Sequence, residues 1–252
     1  MIEVVEVNDI ETLAHYRLVW NSLFAATPHA SFLQTFDWFD TYWRHFGHDQ
    51  QMRVLVVYGG KEPLGIVPLC VRREAYRVGS VRVLTYPLDN WSTWYGPIGP
   101  NPAATMLATM QHLRRTPRDW DMMELRWVAD EGVQGGKTAR SMRVANMLSK
   151  KQEYQVTSLI DLPASFDAYL ANKSNSLRRQ YRHLARKYFE TGRAEYVRHR
   201  PAAAAEGDGD PRWDLYAACE SVAQSSWQSR VVHGNTITHD RVREYFQAAH
   251  AA

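Results

Sequence analysis

The chain has 252 residues, 45 % hydrophobic, 23 % charged and 12 % aromatic, with nine Trp and a formal net charge of +3. That apolar content excludes a disordered chain, and the length allows one large domain or two small ones. No apolar run approaches the roughly 18 residues of a membrane helix, and the densest, Val54 to Tyr58 and Leu64 to Val71, are strand-length. Ile2 to Val7 alternates apolar with acidic residues and is not preceded by a basic leader, so a cytoplasmic protein without a membrane span is expected. Cys70 and Cys219 are the two cysteines, too few for a disulfide framework or a thiolate metal site, and both read as buried free thiols.

In chain order, Ile2 to Val7 reads as a strand and Ile10 to Phe24 as a helix, with Leu13, Tyr16, Trp20 and Phe24 at spacings of three and four. Phe36 to Phe46 reads as a second helix whose aromatic stripe faces the core, capped by Gly47. Met52 to Tyr58 and Leu64 to Arg72 flank Gly59-Gly60-Lys61-Glu62-Pro63, which marks a hairpin. Val81 to Tyr86 is a further strand, Trp91 to Tyr95 a short aromatic strand or loop, Pro102 to Arg114 a helix, Asp121 to Val128 a strand, Thr138 to Leu148 a helix and Tyr154 to Ile160 a strand. Alternation of this kind predicts an α/β (α+β) fold, with residues 1–160 as one domain.

Beyond residue 160 helices dominate: Phe166 to Leu170, Ser174 to Thr191, Arg212 to Gln228 and His239 to Ala252, against one strand, Ala194 to Arg198. A low-complexity linker spans residues 200–211. In the last helix Val242, Tyr245, Phe246 and Ala249 form an apolar face, yet residues 161–252 supply a single strand for it to cover. The expectation is a chain truncated within a second domain; the alternative is a terminal helix docked on the first.

Several chemistries fail on spacing. Gly136-Lys137-Thr138 resembles the end of a P-loop, but Glu131 stands where the first Gly is required. His45 and His48 are three apart, with Gly47 breaking the helix between them and no third ligand close in sequence, so no metal is expected. Asp208 and Asp210 resemble a calcium loop, but Arg212 takes the next alternate position.

The basic helix 174–191 is the strongest local signal. Leu177, Tyr181, Leu184 and Tyr188 make one apolar stripe, and Arg178, Arg182 and Arg186 a parallel one, with Arg179 and Lys187 beside it. Between Lys173 and Arg200 the local charge is +7 against a whole-chain +3, which leaves −4 for the remainder. Like charges four apart destabilise a helix by about 0.2 to 0.5 kcal/mol per pair. Either an anionic ligand compensates them, such as coenzyme A phosphates, a nucleic acid or an acidic polysaccharide precursor, or the heads stay in water above apolar stems. The cluster Asp89 to Pro97 interleaves aromatics with polar groups and reads either as a pocket wall or as core plus turn. From it Asp89, Trp91 and Tyr95 join Arg178, Arg179 and Arg182 as candidate substrate-binding residues, and Trp227, in Ser225-Ser226-Trp227-Gln228, is either a packing or a ligand residue.

Phe32-Leu33-Gln34-Thr35-Phe36-Asp37-Trp38-Phe39, Leu64-Gly65-Ile66-Val67-Pro68-Leu69, the Trp91 to Gly99 stretch and Ser174-x-x-x-Arg178-Arg179-x-x-Arg182-x-Leu184 resemble the BioF2-like or CelD-like acetyltransferases of the GNAT superfamily. Ser225-Ser226-Trp227 and Gly234-Asn235-Thr236 fit a subgroup of that family. The resemblance implies a GNAT-like mixed sheet flanked by helices, with an incomplete second GNAT-like half over 161–252, similar in plan to the FemABX peptidyltransferases. It further implies attack of an amine on an acyl thioester, with acetyl-CoA or another acyl-CoA as donor. The acceptor would be a small-molecule or glycan-precursor amine of the cell envelope or exopolysaccharide. It names no catalytic residue. The alternatives are a FemABX-like aminoacyl-tRNA-dependent transferase, with tRNA as partner, and a non-catalytic acceptor-binding fragment.

Overall fold

A computed structural model describes residues 1–87, 95–128, 136–153, 156, 160–197, 211–230 and 236–251. The chain divides into two compact units, Met1–Gln155 with Glu220–Ala252, and Val156–Cys219. The last described helix belongs to the first unit.

The first unit is built on a five-stranded mixed sheet in the order β1 (Ile2–Val7), β2 (Gln50–Gly59), β3 (Glu62–Tyr76), β4 (Gly79–Thr85) and β5 (Met122–Met123). The first three pairings are antiparallel and β4 with β5 is parallel. Side chains alternate across a strand, so neighbouring residues of β2 serve two cores. Leu55 packs with Val67, Leu69, Val71 and Leu84 beneath Met106, Met110 and Leu113 of α4 (Pro102–Arg115). Val54 and Val56 pack with Ile66 against Leu13 of α1 (Ile10–Ala14), Trp20 and Leu23 of α2 (Arg17–Ala25), and Phe36 and Phe39 of α3 (Phe36–Phe46). Helices thus flank the sheet.

Local chemistry explains where the elements depart from the sequence reading. The first predicted helix is two: the Asp9 carboxylate accepts from the Thr12 N–H at 2.7 Å to start α1, and the chain leaves helical geometry at Tyr16 before α2 begins. Strand β3 outruns its apolar stretch because Glu74 and Tyr76 have partners, Arg126 for the first and Glu124 for the second. The strand predicted over 121–128 narrows to two residues. Asp121 is taken by the Arg82 guanidinium at 2.7 Å, and Trp127 adopts φ 61°, a left-handed conformation no strand accommodates. Where β4 leaves the sheet, Ile98 takes the place opposite Ile66, each donating to the other at 2.8 Å. That close approach requires Gly65, where a Cβ would sit 2.3 Å from the Thr105 hydroxyl. The helix predicted from Thr138 to Leu148 is α5 (Lys137–Val144). Most of the strand predicted over 154–160 lies outside the described residues.

Helix α9 (Asp240–Ala251) carries the main correction to the sequence reading. Its apolar face has a partner within the chain: Val242 and Tyr245 are buried, and Phe246 and Ala249 pack beside them. The Tyr245 ring stands 5.2 Å from Trp38, 5.3 Å from Phe46 and 6.4 Å from Tyr42. Arg243 of α9 pairs with Glu220 of α8 (Trp213–Ser225) at 2.8 Å. α9 docks here because α3 has aromatic surface left over after covering the sheet.

The second unit contains α6 (Phe166–Ala171) and α7 (Asn175–Ala185), the latter continued by a wider π-type turn, Arg186–Glu190. Ser165 and Ser174 cap the two helices, accepting from Ala168 N–H and Leu177 N–H. Phe166 meets Tyr181 edge-on at 4.9 Å, and neither helix buries a residue. Described residues 194–197 form no strand; Ala194 instead closes the turn by donating to the Tyr188 carbonyl. Cys70 is buried as expected, whereas Cys219 is exposed.

If the docked α9 is part of the core, Tyr245→Ala removes a ring enclosed on several sides and costs about 3 to 5 kcal/mol, as for other large buried aromatics. Urea unfolding measures it, and a loss below about 0.5 kcal/mol, the size of an ordinary surface substitution, would show that α9 is not docked.

Candidate functional site

A cleft of about 650 Å³ in the first unit is bounded by α3, the paired ends of β2 and β3, the segment after β5 and the start of α9. Its aromatic wall comes from α3. Thr35 caps this helix by accepting from Trp38 N–H at 3.3 Å, and the 3.6-residue period sends Phe36 and Phe39 to one core while Tyr42 and Phe46 edge the cleft. Gly47 ends the helix where a Cβ would meet the Trp43 ring at 2.7 Å. A short turn, Gly47–Asp49, then feeds β2. The first residue of β2, Gln50, fixes the floor: its amide nitrogen donates to the Phe46 carbonyl at 2.7 Å and to the Tyr42 hydroxyl at 3.2 Å, and its oxygen accepts from the Cys70 thiol at 3.1 Å.

His45 lies on the last turn of α3 and lines this cleft. Its Nδ1 is 2.8 Å from the Thr41 carbonyl oxygen, which only accepts, so Nδ1 carries the hydrogen. In the neutral ring Nε2 then holds a lone pair. Phe46 at 6.3 Å and Tyr245 edge-on at 5.8 Å hold the imidazole plane, so docking of α9 also orients this side chain.

The opposite wall is ionic. The Glu74 carboxylate accepts from Arg72 Nε at 2.7 Å and Arg126 Nη1 at 3.0 Å, while Arg126 Nη2 reaches Glu124 at 2.6 Å and the Tyr76 hydroxyl donates to Glu124 at 2.8 Å. Burial would push the Glu74 carboxyl up, but hydrogen bonds from Arg126 and Arg72 reverse this and hold it below the usual range. Glu124 is lowered chiefly by the Arg126 hydrogen bond, against burial. Burial, then the bond to Glu124, pushes the Tyr76 hydroxyl up to about 12. Arg72 and Arg126 are thus matched by Glu74 and Glu124, and Arg126 Nε is buried without a hydrogen-bond partner among the described residues. Arg241, from the first turn of α9, and His48 and Asp49 complete the rim. Arg73 also borders the cleft, although strand alternation turns it to the face opposite Arg72 and Glu74.

The residues singled out from sequence lie elsewhere. Asp89 and Trp91 fall outside the described residues. Tyr95 is a core residue, 2 % exposed, with its ring 4.7 Å from Tyr86, its N–H donating to Trp127 at 2.7 Å and its hydroxyl pushed well up by burial. Arg178, Arg179 and Arg182 lie on α7 in the second unit, Arg178 half-buried and the other two exposed. Arg178 donates to Asn175, and among the described residues no acid stands within ion-pair distance of Arg179, Arg182 or Arg186. Trp227, in a short turn after α8, is 74 % exposed. Conversely, the Arg72–Glu74–Arg126 wall gives no sequence motif, because its members are 52 residues apart and meet only through strand pairing. His45 and His48 are visible in sequence only as a failed metal pair, and both line the cleft. Among the described residues no group of three or more His, Cys, Asp or Glu is placed to hold a metal ion, and no helix is long and apolar enough to cross a membrane.

Comparison with family models, with curated proteins and with solved structures returns no match to this chain.

Arg126→Met tests the ionic wall. Glu74 and Glu124 have lowered folded pKa values, so the stability they supply is present above the unfolded value of about 4.3 and is lost as pH falls through the lower folded ones. The substitution leaves a partly buried carboxylate without its main partner and costs about 1 to 3 kcal/mol at pH 7, toward the low end because Glu124 is over a third exposed. Urea unfolding should show the cost shrinking progressively as the pH is lowered from 7 into the acidic range where these carboxylates take up protons; a cost that does not change with pH would contradict the pairing.

Proposed function

We propose that the chain is an acyl-CoA-dependent N-acyltransferase of the GNAT type, acting on an amine of a cell-envelope or exopolysaccharide precursor. The observation that carries this reading is the sheet: an antiparallel run β1 to β4 followed by a parallel β5, with α4 between them. Parallel neighbours joined through a helix open a crevice beyond their carboxyl ends, where strand connections diverge. Here β4 and β5 pair at only two positions, Val83 with Met122 and Leu84 with Met123, before the chain leaves the ladder. That divergence supports a place for an extended thioester, and the cleft lined by His45 supports a place for the amine. The sequence resemblance is the second support, and the fold alone would not select this chemistry.

Acetyl-CoA titrated into the protein in a calorimeter is expected to release heat with a Kd in the usual range for such substrates, about 1 μM to 1 mM, and free coenzyme A is expected to compete. No heat, or heat that coenzyme A leaves unchanged, would remove the donor from the reading.

One observation favours a second reading, an aminoacyl-tRNA-dependent transferase: Arg179, Arg182 and Arg186 are exposed without acidic partners among the described residues. If Arg178, Arg179, Arg182, Arg186 and Lys187 each neutralise a phosphate, tRNA affinity falls several-hundred-fold between 50 and 200 mM salt, at about 0.9 logarithmic units per contact. Filter binding that barely changes over that range rules it out.

A further inference from the structure

We infer that His45 is the proton acceptor of the proposed reaction and that the cleft it lines is the seat of the acceptor amine. The inference rests on the acyltransferase reading and adds a residue and a site to it.

The ionisable groups of the cleft differ in what each has left to offer. An alkylammonium acceptor must lose a proton before its nitrogen becomes a nucleophile, so the site needs a lone pair that is uncommitted, fixed in direction and near the operating pH range. Glu74 is ionised, but its oxygens accept from Arg72 and Arg126. Tyr76, pushed up to about 12, stays protonated and donates to Glu124. The Tyr42 hydroxyl accepts from Gln50. Arg72, Arg73, Arg126 and Arg241 carry no lone pair for the task. Asp49 and His48 sit on the exposed turn after α3, where neither is held by a described hydrogen bond. His45 alone combines a cleft-lining position, a ring nitrogen pinned to the Thr41 carbonyl and packing on two sides. Imidazole is also the side chain most often used to take a proton in such a step.

The step then balances as follows. His45 Nε2 takes one proton from the ammonium group. The freed nitrogen lone pair forms the C–N bond at the thioester carbonyl carbon. Collapse breaks the C–S bond, the sulfur leaves with the C–S bonding pair as the coenzyme A thiolate, and the second nitrogen proton passes to that thiolate, giving the neutral amide and the free thiol.

Two measurements on the whole chain test this. Nitrogen-15 spectra of His-labelled protein in the neutral state should show the Nδ1–H tautomer at His45, and O-phosphoethanolamine, used as a probe amine, should shift its Nε2 resonance more than that of the exposed His250. The opposite tautomer, or an equal shift at both histidines, overturns the proposal. With acetyl-CoA and the same probe, His45→Gln should lower kcat about 100-fold or more, the usual contribution of a general base. Acetyl-CoA affinity should stay unchanged, and added imidazole should restore part of the rate. A His45→Gln variant that folds and turns over like the parent sinks the assignment of His45 while leaving the acyltransferase reading standing. Failure of the parent to bind acetyl-CoA sinks that reading instead, whatever the tautomer.

Discussion

The contact on which the rest of the first unit depends is the insertion of the Tyr245 ring among Trp38, Tyr42 and Phe46. It joins the two ends of the unit's chain, because α3 precedes the sheet's central hairpin and α9 ends the described residues. One aromatic packed on another adds about 0.5 to 1.5 kcal/mol beyond the area it buries, and Tyr245 touches several. The same ring also stands edge-on to His45. A packing contact therefore sets the direction of a chemically active side chain, and the first turn of α9 brings Arg241 to the rim of the same cleft.

The facing wall depends on a different force. Arg72, Glu74, Arg126 and Glu124 form a continuous chain of charge-assisted hydrogen bonds, stronger than neutral ones because both partners are ionised. That chain holds the segment after β5 against β3, where backbone pairing has already ceased after Met123. It also removes these groups from the list of available bases and nucleophiles. An aromatic wall that orients and an ionic wall whose carboxylates are engaged leave the imidazole as the fixed, hydrogen-bonded base between them.

Strand and helix periodicity made much of this unit legible. Ile2 to Val7, Phe36 to Phe46 and the Gly60-Lys61 hairpin correspond to elements of the structure because each is specified locally, by alternation, by an aromatic stripe or by a turn. The reading failed where distant residues decide the outcome. Nothing near Glu74 in sequence announces Arg126, so the length of β3 and the ionic wall were both invisible. The apolar face of α9 is legible as a face needing cover, but its cover lies some 200 residues earlier on α3, and no spacing in the sequence links the two. For Tyr95, aromatics beside polar residues read equally as a pocket wall or as core, and burial of its ring against Tyr86 makes it core. The basic face of α7 was evident from spacing alone, since a helix with capping Ser174 and charges four apart needs no tertiary information.

Native-state hydrogen exchange addresses the central claim most directly, since it reports the stability of α9 relative to the sheet residue by residue. With α9 anchored by Tyr245, the amides of Phe246 and Gln247 should open with nearly the same free energy as those of Val56 and Val67 in the sheet. Exchange of the α9 amides orders of magnitude faster, with the sheet still protected, would mean that the terminal helix detaches on its own and that His45 is not oriented by it.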